Sequence, residues 1–299
     1  MTPYCTIQDL TLSDIQDLTL SDNGCALESQ RSASTFPIGK RLMHEVVQIK
    51  DELAQIGVSR GDVLMVHASL RGLGPIRGGA ESLIDTISQA LGPEGTMLMV
   101  LGADPAQPFD RLKTPADKYI GMLAEVFRSH PGVHVSDHLV ARYAALGARA
   151  KELIDDVPLN DYHGPGSVLE RIIRVDGKVL RLGADMDSLT LTHYAEYLAD
   201  LPNKRRVRRK WIRADTGPLW VECLDDDDGI VPFDEDEIEE DEEEADYFPQ
   251  LLSEYLSAER ARTGPIGSCN AQLIHSRDFI EFAVPWLENE LRPLMTKQV

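Results

Sequence analysis

Cysteine is scarce in this chain: four residues in 299 (Cys5, Cys25, Cys223 and Cys269), too scattered for a disulfide framework or a CxxC metal pair. That scarcity fits a reducing compartment, and the expected localisation is cytoplasmic. Long apolar runs are missing as well. The best of them, 96-TMLMVL-101, is strand-sized, far short of the ~20 residues that cross a bilayer. The first residues have neither a basic n-region nor an apolar h-region, so neither a secretory signal nor a membrane partner is expected. There is no HExxH or paired-cysteine pattern, and 131-PGV-133 interrupts the four-residue spacing of His130, His134 and His138. A single helix cannot carry that stripe, and no metal is expected. Positive charge is lacking in one place above all. Across residues 225–246, fifteen side chains are acidic and none is basic; without them the net charge of −20 falls to −5. Phosphate binding needs a positive surface, which argues against nucleic acid. A polycation is the natural complement, because a negative field raises its local concentration; the plainer alternative is a solvated loop.

What is present divides unevenly. Residues 1–39 hold a tandem duplication, IQDLTLSD at 7–14 and 15–22, followed by a Ser-rich link. They read as an N-terminal appendage, two copies being too few for a solenoid. The body spans 40–299, with 225–246 as an acidic, insertion-like segment. Leu42, Val46, Ile49, Leu53 and Ile56 have helical spacing and stop at Gly57. A strand at 62–66, a glycine-bearing loop, a helix at 80–91 and a strand at 96–101 make a βαβ unit, which implies parallel pairing. Helices follow at 117–129 and 166–174, a strand at 178–183 and a helix at 188–200. The turn 215-DTGP-218 joins strands at 205–213 and 219–224, and helices near 246–262 and 278–291 close the chain. The expected class is α/β, a single domain with a mixed, partly parallel central sheet flanked by helices.

Two constellations could carry chemistry. The loop 67-HASLRGLG-74 follows the first strand, where free backbone N–H groups can meet phosphates and carbonyls. It is neither a GxGxxG fingerprint nor a P-loop, so a structural turn and a site for a pyrophosphate with a long arm both remain open. In 188-SLTLTHYAE-196, His193 and Glu196 stand three apart, on one face of a helix that Asp187 or Ser188 could cap. A histidine so braced can take a proton near neutral pH, the carboxylate fixing its tautomer; an ordinary polar pair is the alternative. Ser69 and Cys223 lie in no nucleophile elbow, which argues against covalent catalysis.

The segments 65-MVHASLRGLGPIRGG-79, 92-GPEGT-96, 136-SDHLVARYAALG-147, 181-RLGADMDSLTLTHYAE-196, 202-PNKRR-206 and 264-GPIGSCNAQLI-274 together resemble the aminoglycoside N3-acetyltransferase family, the antibiotic acetyltransferases distinct from the GNAT fold. The resemblance runs from about Lys40 to Leu291. It implies acetyl transfer from acetyl-CoA, as cosubstrate, to the 3-amino group of a 2-deoxystreptamine aminoglycoside. It also implies His193 as general base with Glu196 behind it. Coenzyme A contacts would come from His67, Ser69, Leu70, Arg71, Gly74 and Ser136. Contacts to the cationic drug would come from Asp226, Asp228, Asp187 and Asp104. Oligomeric state stays open, a homodimer included. This chain departs from the family pattern at His138-Leu139 and Ser167-Val168, where members carry His-Pro and Ser-Pro. Two other functions compete: acetylation of a non-antibiotic amine, and an acidic protein-binding module on an α/β body.

Overall fold

Successive residues of the first strand enter opposite cores: Val63 and Met65 one, Leu64 and Val66 the other. A strand buried on both faces needs helices on both, and this alternation sets the architecture. The structure is a computed structural model and describes residues 43–104, 106–202, 204–224 and 247–295, all within the unit Arg41–Val299. The duplicated residues 1–39 and the acidic segment 225–246, with Asp226 and Asp228, lie outside the described residues.

In chain order the elements are α1 (Val46–Gln55), β1 (Val63–Ala68), α2 (Leu70–Leu73), α3 (Gly79–Leu91), β2 (Thr96–Val100), α4 (Met122–Ser129), β3 (His134–Val135), β4 (Tyr143–Gly147), α5 (Ala150–Ile154) and α6 (Val168–Arg174). Then come β5 (Lys178–Leu182), α7 (Leu191–Leu198), β6 (Arg206–Arg213), β7 (Gly217–Leu224), α8 (Tyr247–Ser257), β8 (Arg262–Ile266), β9 (Cys269–His275), α9 (Ser276–Glu290) and α10 (Arg292–Met295). Seven strands form one sheet in the order β3-β4-β2-β1-β5-β9-β8, and β6 pairs with β7 in a separate hairpin. The parallel pairings are those of β1 with β2 and with β5, with Met65 beside Leu98 on one side and Val179 on the other. Antiparallel strands flank them, β4 on β2 and β9 on β5. The sheet is therefore mixed, and its parallel centre is the part that creates a crevice at the strand ends. One face is covered by α1, α3 and α4 through Ile49, Leu53, Ile84 and Phe127. The other is covered by α6, α7, α8 and α9 through Leu169, Leu191, Leu252 and Phe279.

Local chemistry moves several boundaries from their expected places. The first helix begins at Val46 because the backbone of His44 pairs instead with Pro75 and Arg77. Residues 117–121 form a turn rather than the start of α4, since Asp117 N–H donates to Leu101 O at 2.8 Å. Neither Asp187 nor Ser188 caps α7. The helix begins at Leu191 after Thr190, and the Ser188 hydroxyl donates to the Asp187 carboxylate instead. The α8 helix ends at Ser257, with Glu259 in the left-handed region. The stretch 264–272 lies in the β8–β9 hairpin. Among the described residues no helix is long and apolar enough to cross a membrane.

Candidate active site

At the carboxyl ends of β1 and β5 two loops come together, 67–74 and 183–190. Their backbones meet where both lack side chains: a methyl group on Gly72 would stand 2.8 Å from Gly183 O. Beside them opens a cleft of about 560 Å³. One wall holds His67, Ser69, Leu70 and Arg71 with Asp185, Asp187 and Thr190; the other holds Tyr119, Ile120, Gly121 and Met122; His193 and Phe248 also line it. His67 faces Thr190 Oγ1 at 3.5 Å. Burial, helped by the nearby Arg181 charge, lowers its pKa to about 4, so it is neutral at pH 7. Ser69 caps the short helix α2, its hydroxyl accepting from Gly72 N–H at 3.2 Å.

Arg181 is fully buried beneath the 183–190 loop. It donates to Ala184 O, Asp185 O and Ser188 O, and to Gln272 Oε1 at 2.8 Å. Arg142 holds residues 102–115, the segment leading to Tyr119–Met122, in a similar way through four carbonyls, among them Thr114 O at 2.6 Å and Pro115 O at 2.8 Å. Burial lowers the pKa of each guanidinium to about 10, which leaves both charged at neutral pH.

The α7 helix brings the histidine and glutamate together. His193 Nδ1 lies 2.9 Å from Glu196 Oε2, the histidine side chain 19% exposed and the glutamate 1%. One turn of helix separates them, as the three-residue spacing predicts. Tyr247, the first residue of α8, donates its hydroxyl to the other glutamate oxygen. Trp286 Nε1 donates to Glu254 at 2.7 Å and Tyr255 to Asp278 at 2.7 Å, tying α8 to α9 and so holding Tyr247 in place. The ring of His163 lies flat on that of His193, centroids 4.7 Å apart and planes 5° off parallel. Phe248 meets His193 edge-on at 5.3 Å. A braced imidazole opening onto a cleft with neutral and carboxylate walls is equipped to take a proton from an incoming nucleophile.

Of the residues singled out in the sequence, His67, Ser69, Leu70, Arg71, Asp187 and His193 line the cleft, and Glu196 stands behind His193. Gly74 lies in a neighbouring groove of about 330 Å³ that shares Leu70 with the cleft. Ser136 is elsewhere: buried at the β3–β4 turn, it exchanges bonds with the Tyr143 backbone at 2.9 Å. Asp104 is exposed and accepts from Ala106 N–H. Cys223 is buried, its sulfur 3.5 Å from Tyr162 Oη. His130, His134 and His138 fall on three separate segments, and the described residues hold no group of three or more metal-ligating side chains. Sequence reasoning missed Arg181, Arg142, His163, Tyr247 and Phe248. Only the run DYHG, a histidine beside two turn residues, marks any of them.

Comparison with known proteins agrees with this geometry. The sequence profile described as aminoglycoside 3-N-acetyltransferase matches residues 65–288. Aminoglycoside N(3)-acetyltransferase VII of Streptomyces paromomycinus is 33% identical over 261 residues, covering 80% of this chain and 90% of that protein. Aminoglycoside N(3)-acetyltransferase III of a Salmonella species is 32% identical, covering 82% and 92%. Among solved structures, AAC-IIIb in a binary complex with CoASH superposes with a TM-score of 0.75 at 33% identity, covering 84% of this chain and 98% of that one. AAC-VIa bound to sisomicin superposes with a TM-score of 0.74 at 29% identity, covering 84% and 99%. With a shared fold, a shared profile across the sheet and the cleft, and a third of residues identical, the chain belongs to the aminoglycoside 3-N-acetyltransferase family and is an acyltransferase.

Proposed function

We propose that this enzyme transfers the acetyl group of acetyl-CoA directly to the 3-amino group of a 2-deoxystreptamine aminoglycoside, with His193 as general base. The observation that carries the reading is the His193–Glu196–Tyr247 relay opening onto the cleft. An aminoglycoside is a polycation, and a protonated amine has no lone pair with which to attack a thioester. The site must hold the cation yet deprotonate one nitrogen. Asp185 and Asp187 on the cleft wall would attract and orient the ammonium groups. Asp226 and Asp228, which lie outside the described residues, would extend that role, with Asp104 as a further carboxylate. Acetyl-CoA supplies the acetyl group as a thioester; His67, Ser69, Leu70 and Arg71 would meet its arm, with Gly74 beyond them and Ser136 as a further expected contact.

Glu196 accepts from Nδ1–H and fixes the tautomer, so the Nε2 lone pair of His193 takes the amine proton. The amine nitrogen then forms its bond to the acetyl carbon. Collapse of the tetrahedral intermediate breaks the carbon–sulfur bond; the proton held by His193 goes to the departing thiolate, and the second proton on the attacking nitrogen is released to solvent, leaving a neutral amide and coenzyme A. Backbone N–H groups of a strand-end loop would stabilise the oxyanion, a contribution of ~3–4 kcal/mol per donor in such sites. The scattered cysteines fit a cytoplasmic reaction.

The test follows coenzyme A release from acetyl-CoA with gentamicin, kanamycin, apramycin and spermine. Turnover with the aminoglycosides should drop ~10²-fold or more in His193→Ala. Turnover that survives the substitution would return His193 to an ordinary polar role. Preference for spermine would move the substrate to another class of amine.

A further inference from the structure

We propose that His163 is a positioning residue for His193: the stacked rings fix the plane of the base and share a single proton across the working pH range. The inference rests on the reading of His193 as base. Its geometry does not. The two imidazoles are parallel to within 5° at 4.7 Å, and both line a small pocket with Asp161, Glu196, Tyr197, Cys223 and Leu224. They belong to a continuous row of rings, His138, Tyr162, His163, His193 and Phe248, each touching the next. His193 is thus sandwiched, with His163 flat against it and Phe248 edge-on.

The turn that delivers His163 is built for that placement. Asp161 adopts a left-handed backbone (φ 49°), and its carboxylate is gripped by Arg206 through two contacts of 2.8 Å. Asn160 Oδ1 accepts from Glu222 N–H at 2.8 Å, and Asp161 N–H donates to Glu222 O at 3.1 Å, pinning the turn to the β6–β7 hairpin. At Gly164 a methyl group would come within 2.6 Å of the Tyr197 ring, so only glycine lets the turn close onto α7. A non-glycine residue in the left-handed region, held from two sides next to a catalytic group, marks a position that the surrounding structure enforces.

The stack has an electrostatic consequence. Two imidazolium rings at this distance repel, so protonation of either opposes protonation of the other. Among the described residues, other charged and titratable neighbours include Asp161, already paired with Arg206; Glu196, shared by His193 and Tyr247; and Tyr162, Tyr197, Cys223 and His138. By competing for the proton, His163 keeps His193 neutral, and so basic, to lower pH than a lone imidazole would remain.

His163→Phe keeps a stacking ring and removes the titration; His163→Ala removes both. In His163→Ala kcat should fall about tenfold, and His163→Phe should recover most of that loss. In His163→Phe the acid limb of kcat/KM should move to higher pH by about 0.5–1 unit. NMR titration of the ring protons gives a second readout that is independent of turnover: the His163 midpoint should rise in His193→Ala, and the His193 midpoint in His163→Phe. Superimposable pH profiles for wild type and His163→Phe, with unmoved ring titrations, would overturn the proposal, and His163→Phe keeps that test open should His163→Ala fail to fold. The two readings fail separately. If His193→Ala still turns over while the His163 titration moves, the base reading falls and the shared proton stands. If His193→Ala is inactive and neither ring responds, the base stands and the shared proton falls.

Discussion

Arg181 and Arg142 are both fully buried, and each fastens a loop at the edge of the cleft by donating to backbone carbonyls rather than to carboxylates. The loops they hold face solvent very differently. The Arg181 loop turns Asp185 and Asp187 outward, both exposed. The other side of the cleft presents Tyr119 and Met122, 85% and 67% exposed. A carboxylate spent on the buried guanidinium would be lost to the cleft. Because carbonyls satisfy Arg181, its acidic neighbours remain available to a cation. The same internal device thus stands behind a charged wall, which also carries His67 to Arg71, and behind the segment that leads to the apolar one.

Removing the arginines tests this comparison most severely. Arg181→Ala and Arg142→Ala should each lose about 3 kcal/mol or more in urea unfolding, since several buried carbonyls lose their donors together. Lysine at either position should recover less than half, because one ammonium cannot span the same set of acceptors. A cost under about 1 kcal/mol at Arg142 would mean that something else holds the apolar wall.

Acid comes next, and it touches both sides. His67, beside Arg181, and His138, whose Nδ1 accepts from Ala141 N–H at 2.9 Å, both have pKa values lowered to about 4, chiefly by burial. A depressed histidine is neutral in the fold and charges more readily when unfolded. Stability is therefore fully present above pH 6.5 and lost as pH falls from there towards 4, by up to ~3 kcal/mol for each residue. Unfolding midpoints measured across that range should show the slope, and His138→Gln should flatten it.

The smallest expected effects separate the two ligands by the residues that meet them. Asp185→Asn with Asp187→Asn should raise KM for the aminoglycoside about 3–10-fold and weaken the fall of kcat/KM with salt, with KM for acetyl-CoA unchanged. Arg71→Ala should do the reverse, raising only the acetyl-CoA value, about 2–5-fold. Equal effects on both substrates would dissolve the distinction.

Much of this organisation was readable in the order of residues. The βαβ unit from Val63 to Val100 declares itself by buried runs, glycine punctuation and helical spacing, and the His193–Glu196 pair by its three-residue interval. What surrounds that pair did not. His163 and Tyr247 lie 30 and 54 residues from His193, and no period links them to it; only the packing of α8 on α9 and the Asp161 turn does. Arg181 reads as an ordinary strand residue and Arg142 falls in no expected element, because a guanidinium's carbonyl partners have no sequence signature. Ser136 is a case where the resemblance speaks and local pattern does not. Expected in the cofactor site, it sits in the β3–β4 turn, where its hydroxyl completes backbone pairing with Tyr143.

The meeting of Gly72 and Gly183 has a further meaning. With no side chain on either residue, the gap between the two cleft loops is measured by backbone atoms alone, which neither rotate nor compress as a side chain would. It acts as a fixed gauge block. A new specificity can be reached by exchanging rim residues such as Asp187 or Tyr119, each free to vary without disturbing its neighbour. One added methyl at the gauge would instead shift every distance in the cleft at once, so the route by which such an enzyme acquires a new drug runs around its edge and leaves this contact alone.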